Sequence, residues 1–201
     1  MSLAAESDTS PLDLGDEGSV AVMLFAGGTT GLVLFDSAGE QTAFWMSLAE
    51  RAETDGFSAL VFAEPVPGDP VEAAVQAVGL LERLGVEQAV IAAEGADAPA
   101  ALRAAARGCF AAVVLFEPAI PDEELESLLE ETRMAKLVLV VDNDAVAQAF
   151  SRHAIGPTVI RHLPSAETGR GAQLLTGEVA DLVAEAILGF AISVCGDGRC
   201  G

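Results

Sequence analysis

Six stretches of the chain are apolar at nearly every position: residues 20–25 (V-A-V-M-L-F), 32–35 (L-V-L-F), 57–63 (F-S-A-L-V-F-A), 88–93 (Q-A-V-I-A-A), 111–116 (A-A-V-V-L-F) and 137–141 (L-V-L-V-V). None alternates with polar residues, which is the pattern of strands buried on both faces of a sheet. The stretch P-T-V-I-R-H at 157–162 reads as a further, last strand. Helical periodicity fills the gaps between strands. Phe44, Leu48 and Ala52 recur every four residues on one face of a helix over 41–54, with Trp45 beside them. Asp55-Gly56 stops that helix. Pro70 opens the next, which ends at Gly85. Further helices are predicted over 98–107, from the acidic start Pro121-Asp122-Glu123-Glu124, over 145–153 and over 177–192. Strands and helices in this order predict one doubly wound, mostly parallel α/β sheet with helices on both faces.

The link A-G-G-T-T-G at 26–31 joins the first two strands. It lacks the Gly-Lys-Ser/Thr ending of a phosphate loop and opens no helix, so it is expected to be a hairpin turn. Residues 1–18 are polar and acidic and are expected to form a flexible leader, with the domain at 19–192 and a flexible tail at 193–201. With 201 residues the chain suits a single well-cored domain.

Composition narrows the partners. There are 31 acidic against 10 basic residues, a net charge of −21, and Lys136 is the only lysine. Such a charge disfavours nucleic acid and anionic membranes, because phosphate contacts need Lys and Arg. The acidity fits either a solvated surface tuned to a salty cytoplasm or a basic partner steered to an acidic face. The beginning M-S-L-A-A-E-S-D-T-S has neither the basic region nor the apolar core of a signal peptide, and no apolar run reaches the ~20 residues of a membrane span. Three cysteines, Cys109, Cys195 and Cys200, are too few for a disulfide scaffold. Zinc would need more ligands than the Cys195/Cys200 pair offers. A cytoplasmic protein without a cofactor is expected.

Candidate chemistry centres on A-E-G-A-D (93–97), a tight turn between a buried strand and an Ala-rich helix. Together with F-D-S-A-G before a Trp-bearing helix, V-F-A-E-P-V-P-G, L-V-L-V-V-D-N-D and H-L-P-S-A-E-T-G, it resembles the α/β-hydrolase superfamily. The closest likeness in size and layout is to the small, lidless dienelactone hydrolase group, over about residues 20–191. The resemblance implies a nucleophile at Gly95, a triad acid at Asp144, a catalytic histidine at Thr168 and an oxyanion loop at Asp36-Ser37.

Those positions depart from the pattern. The family elbow is Gly-x-Ser-x-Gly, and Gly95 has no side chain with which to attack. The histidine slot holds Thr168, and Asp36-Ser37 replaces His-Gly, so a carboxylate stands where a developing oxyanion would need donors. Without a histidine to orient, Asp144 has no triad function. The degenerate triad implies no catalytic residues and a pseudo-hydrolase that binds a small apolar or cationic ligand, or a protein partner. The candidate pocket is formed by Asp36, Ser37, Glu94, Gly95, Asp97, Asp144 and His162. One alternative is an unconventional hydrolase using Asp97, Ser37 or Ser165 with His162, with Asp97 as nucleophile in a shifted elbow register. Another is a structural homo-oligomer joined through an edge strand or the last helix. Asp36, Glu64, Glu94 and Asp144 are also oxygen donors near strand ends, but in so acidic a chain they do not by themselves specify a metal, and none is assigned. His153 is expected at the surface, and Cys109 as a buried small hydrophobe.

Overall fold

The computed structural model describes residues 8–141, 144–163 and 177–196. Its strands are β1 (Asp8–Asp13), β2 (Ser19–Phe25), β3 (Thr30–Phe35), β4 (Ser58–Phe62), β5 (Gln88–Glu94), β6 (Ala112–Phe116), β7 (Ala135–Val140) and β8 (Thr158–His162). They form a single eight-stranded sheet in the order β1-β2-β4-β3-β5-β6-β7-β8. From β4 across to β8 neighbouring strands are parallel, whereas β1 and β2 run antiparallel to their neighbours. The helices are α1 (Thr42–Thr54), α2 (Pro70–Arg83), α3 (Ala98–Ala104), α4 (Asp122–Glu131), α5 (Asp144–His153) and α6 (Gly177–Cys195).

Every residue of β4 and β6 is buried, as the unbroken apolar runs require. Successive side chains pass to opposite faces and enter two separate cores. On one face Leu32, Leu34, Val61, Val90 and Leu139 pack with Trp45 and Leu48 of α1 and Val183 and Ile187 of α6. On the other, Val33, Leu60, Ile91, Leu115 and Val138 pack beneath α2 to α5. Among the described residues no helix is long and apolar enough to cross a membrane.

The 26–31 link is not a hairpin. β2 and β3 are not neighbours, because β4 lies between them. The connection has to pass over the start of β4, and glycine is what permits the approach. A Cβ on Gly27 would stand 2.1 Å from the Phe57 carbonyl oxygen, and one on Gly28 2.2 Å from that of Gly56. Ser58 fastens the crossing: its hydroxyl donates to the Gly28 carbonyl at 2.8 Å and accepts from the Gly27 and Gly28 N–H groups at 3.3 and 3.2 Å.

The chain ends also differ from expectation. Residues 8–13 are not part of a flexible leader but form β1, which buries Leu12 against the core. The last helix continues to Cys195, so the tail does not begin at 193. At the opposite edge of the sheet the single lysine, Lys136, is buried. Its ammonium donates to the carbonyls of Met134 (3.0 Å) and Ile155 (2.7 Å), tying two loops to the start of β7, and burial brings its pKa down to about 8.

Because backbone obstructs any side chain at the crossing, Gly27→Ala should destabilise the fold by about 3 kcal/mol, the upper end of overpacking costs. That corresponds to a fall of roughly 6–12 °C in the thermal unfolding midpoint. An unchanged midpoint would show that the crossing tolerates a side chain.

Candidate functional site

Parallel pairing brings the carboxyl ends of neighbouring strands together, and on β3, β5 and β6 each end carries a carboxylate. Phe35 pairs with Ala93 and Glu94 with Phe116, so Asp36, Glu94 and Glu117 stand in a row across three adjacent strands. Glu117 and Glu40 were not among the residues singled out from sequence. The signal for Glu117 was present: like Asp36 and Glu94, it closes an apolar strand.

Gly95 is the vertex of the elbow. It follows β5 with φ +50, and a tight turn over Gly95–Asp97 leads directly into α3. A Cβ at Gly95 would meet nothing within 4 Å, and its carbonyl accepts from the Ala119 N–H at 2.9 Å. The position therefore has the left-handed backbone and open space of a nucleophile elbow, without the nucleophile. Asp97, by contrast, has ordinary right-handed helical dihedrals (φ −82, ψ −11). The shifted register that would make Asp97 the elbow nucleophile is thereby excluded.

Asp97 has a different partner. Both its oxygens hold Ser37: the Ser37 hydroxyl donates to one, and the Ser37 N–H to the other at 3.0 Å. This bond clamps the loop after β3 to the elbow across 60 positions of sequence. Asp36 turns the other way. It is 3% exposed and accepts from the N–H groups of Glu40 (3.0 Å) and Gln41 (2.7 Å), which fixes the approach to α1. Two residues expected to line an oxyanion hole thus hold loops in place, Ser37 against the elbow and Asp36 on the approach to α1.

Glu94 remains. Its Oε2 is buried and has no hydrogen-bond partner among the described residues. Burial, reinforced by the carboxylates of Asp36, Asp97, Glu40 and Glu117, pushes its carboxyl from the ordinary 4.5 up to about 7. Burial also raises Asp97, against the lowering effect of its bonds from Ser37. Glu117 is the one described non-glycine residue with positive φ, at 43. Its carboxylate accepts from the Val141 N–H and so links the ends of β6 and β7.

The remaining candidates do not join this group. His162 is exposed at the end of β8, the sheet edge. Three strand spacings separate β8 from β5, or ~14 Å at about 4.8 Å each. Ser37, beyond β3, is farther still. A hydrogen bond from His162 to Ser37 or Asp97 is therefore impossible in this arrangement. Asp144 opens α5, after β7. Thr168 and Ser165 lie outside the described residues, as does Cys200. Glu64 is exposed in the loop after β4, whereas Asp36 on the neighbouring strand end is buried. Among the described residues no three His, Cys, Asp or Glu side chains are placed to hold a metal ion. His153 is at the surface, 3.6 Å from Glu126, and Cys109 is half-buried against the core.

No protein-family model matches the sequence, and no curated protein matches it. Solved structures do match. Dienelactone hydrolase from Anabaena variabilis superposes with a TM-score of 0.73 at 14% identity, covering 94% of this chain and 98% of that one. The esterase domain of a Rhodothermus marinus protein gives 0.74 at 15% identity, over 92% and 98%. Est1E from Butyrivibrio proteoclasticus gives 0.72 at 12%, over 94% and 100%. At these identities the likeness establishes the architecture and transfers no activity.

Glu94 should register in the pH dependence of stability. The folded state holds its proton to about pH 7, whereas the unfolded chain releases it near 4.5. Its contribution is therefore fully present below pH 4.5 and is lost as pH rises through 7. Glu94→Gln should remove that decline and unfold at a higher temperature than the parent above pH 7. Identical midpoint-against-pH curves for the two proteins would show that Glu94 titrates normally.

Proposed function

On an α/β-hydrolase fold whose elbow vertex is a glycine, we propose that this protein binds a small ligand at the carboxyl edge of its sheet without hydrolysing it. The observation behind this reading is Gly95 itself. It has the elbow backbone, and carboxylates flank it on the neighbouring strands. Acyl transfer needs a nucleophile, a base to activate it and donors for the oxyanion. Here the nucleophile position has no side chain, His162 is three strands away, and Asp36 and Ser37 are engaged in holding loops. Negative charge around the elbow favours a cationic ligand over an anionic one.

A second reading is favoured by the Ser37–Asp97 contact. A serine hydroxyl bonded to a carboxylate of raised pKa is a nucleophile with a proton acceptor, so a weak hydrolase would use this pair and not His162.

Two experiments separate these readings. In thermal-shift titrations, alkylammonium ions should stabilise the protein and alkyl carboxylates of the same chain length should not. At a hundredfold excess over Kd the stabilisation is about 2.7 kcal/mol, or roughly 5–10 °C. Equal response to both series would remove the cationic ligand. Short-chain nitrophenyl esters should be hydrolysed at the buffer rate by the parent, by Ser37→Ala and by Gly95→Ser. Turnover that disappears in Ser37→Ala would replace binding with the second reading.

A further inference from the structure

The two edges of the sheet are finished differently. At the β1 edge, Pro11 lies mid-strand and cannot donate a hydrogen bond, and aspartates stand at both ends of the strand. Proline and charge at an edge are devices that prevent strand addition. The β8 edge has no proline within the strand. The bonds from the Lys136 N–H to the Pro157 carbonyl (2.8 Å) and from the Leu163 N–H to the Val140 carbonyl (2.7 Å) show which residues face inward. The odd-numbered residues bond to β7, so Thr158 and Ile160 direct their N–H and C=O groups outward.

Apolar exposure gathers at the same edge. Of the five large hydrophobic side chains that are exposed among the described residues, Ile155 (42%), Val159 (43%) and Leu182 (40%) surround β8 and the facing side of α6. Between β8 and α6 runs an open cleft of about 510 Å³, with Arg161, Leu182 and Glu185 in its walls.

Charge points to the same surface. Residues 133–163 include Arg133, Lys136, Arg152 and Arg161 and both histidines, against Asp142 and Asp144 alone. In a chain of net charge −21 this segment is net positive in sequence, as residues 98–116 also are, although Lys136 itself is buried. Two such chains repel each other on approach, and less where Arg161 of one copy can face Glu185 of the other.

We propose that β8 is a homodimer interface, at which two copies pair their β8 strands antiparallel across a two-fold axis and continue the sheet. An axis through Ile160 sets Thr158 opposite His162 and Val159 opposite Arg161 of the second copy, so no like charges face each other. It also sets the two clefts side by side, bringing Arg161 of each copy towards the wall that contains Glu185 of the other. A two-fold pairing closes on itself. The alternative, β8 of one copy on β1 of the next, would grow a filament, and Pro11 blocks it. A separate acidic protein on this face is the other occupant that the charge would accept.

The test is sedimentation velocity on the full chain over about 1–100 µM, a range that brackets ordinary dimer affinities. The parent should sediment at twice the 20.5 kDa chain mass. Val159→Glu/Leu182→Glu alters only exposed positions and should sediment as a monomer with an unchanged far-ultraviolet spectrum. Hydrogen exchange should show the Thr158 and Ile160 amides protected in the parent and losing that protection in the variant. A monomeric parent across the whole range overturns the proposal and leaves the face to a different, acidic protein. A dimer that survives the double substitution, or growth beyond the dimer, also overturns it.

Discussion

The site depends on one crossing of the backbone. The connection from β2 to β3 passes over the start of β4 at a distance that only glycine allows, and Ser58 bonds it there. Because of that crossing β3 lies beside β5 instead of beside β2. Asp36 then stands next to Glu94, and the loop after β3 reaches the elbow. A hairpin at the same place would have kept β3 beside β2 and away from the elbow.

Once these strands are neighbours, electrostatics follows from position. Strand ends in a parallel sheet converge, so carboxylates placed there share one low-dielectric edge. Asp36 and Asp97 accept hydrogen bonds from nearby N–H and O–H groups, whereas the Oε2 of Glu94 meets none among the described residues. A carboxyl so placed retains its proton towards neutral pH. An oxyanion developing here would face the same repulsion. That repulsion is the ground for proposing a cationic ligand at this edge.

The fold was largely legible in the sequence, because burial on both faces leaves continuous apolar runs that end within a residue or two of the observed strands. β1 was missed because D-T-S-P-L-D buries little beyond Leu12 and reads as polar leader. The hairpin was misread because the reason for Gly27 and Gly28 lies some 30 positions away, at Phe57 and Ser58. The tight turn at 93–97 and its flanking Glu94 could be read from local pattern, and Gly95 has positive φ there. Contacts across distant segments could not. The Ser37–Asp97 clamp spans 60 residues, and the distance of His162 from the elbow is a property of strand order.

The proposed reading is that this elbow does not support serine chemistry. It is tested most directly by incubating the protein with a fluorophosphonate, which phosphonylates serines activated as nucleophiles, and measuring the intact mass. The protein should keep its unmodified mass after prolonged exposure at neutral pH. A stoichiometric adduct mapped to Ser37 would contradict it, showing that Asp97 activates the hydroxyl it holds.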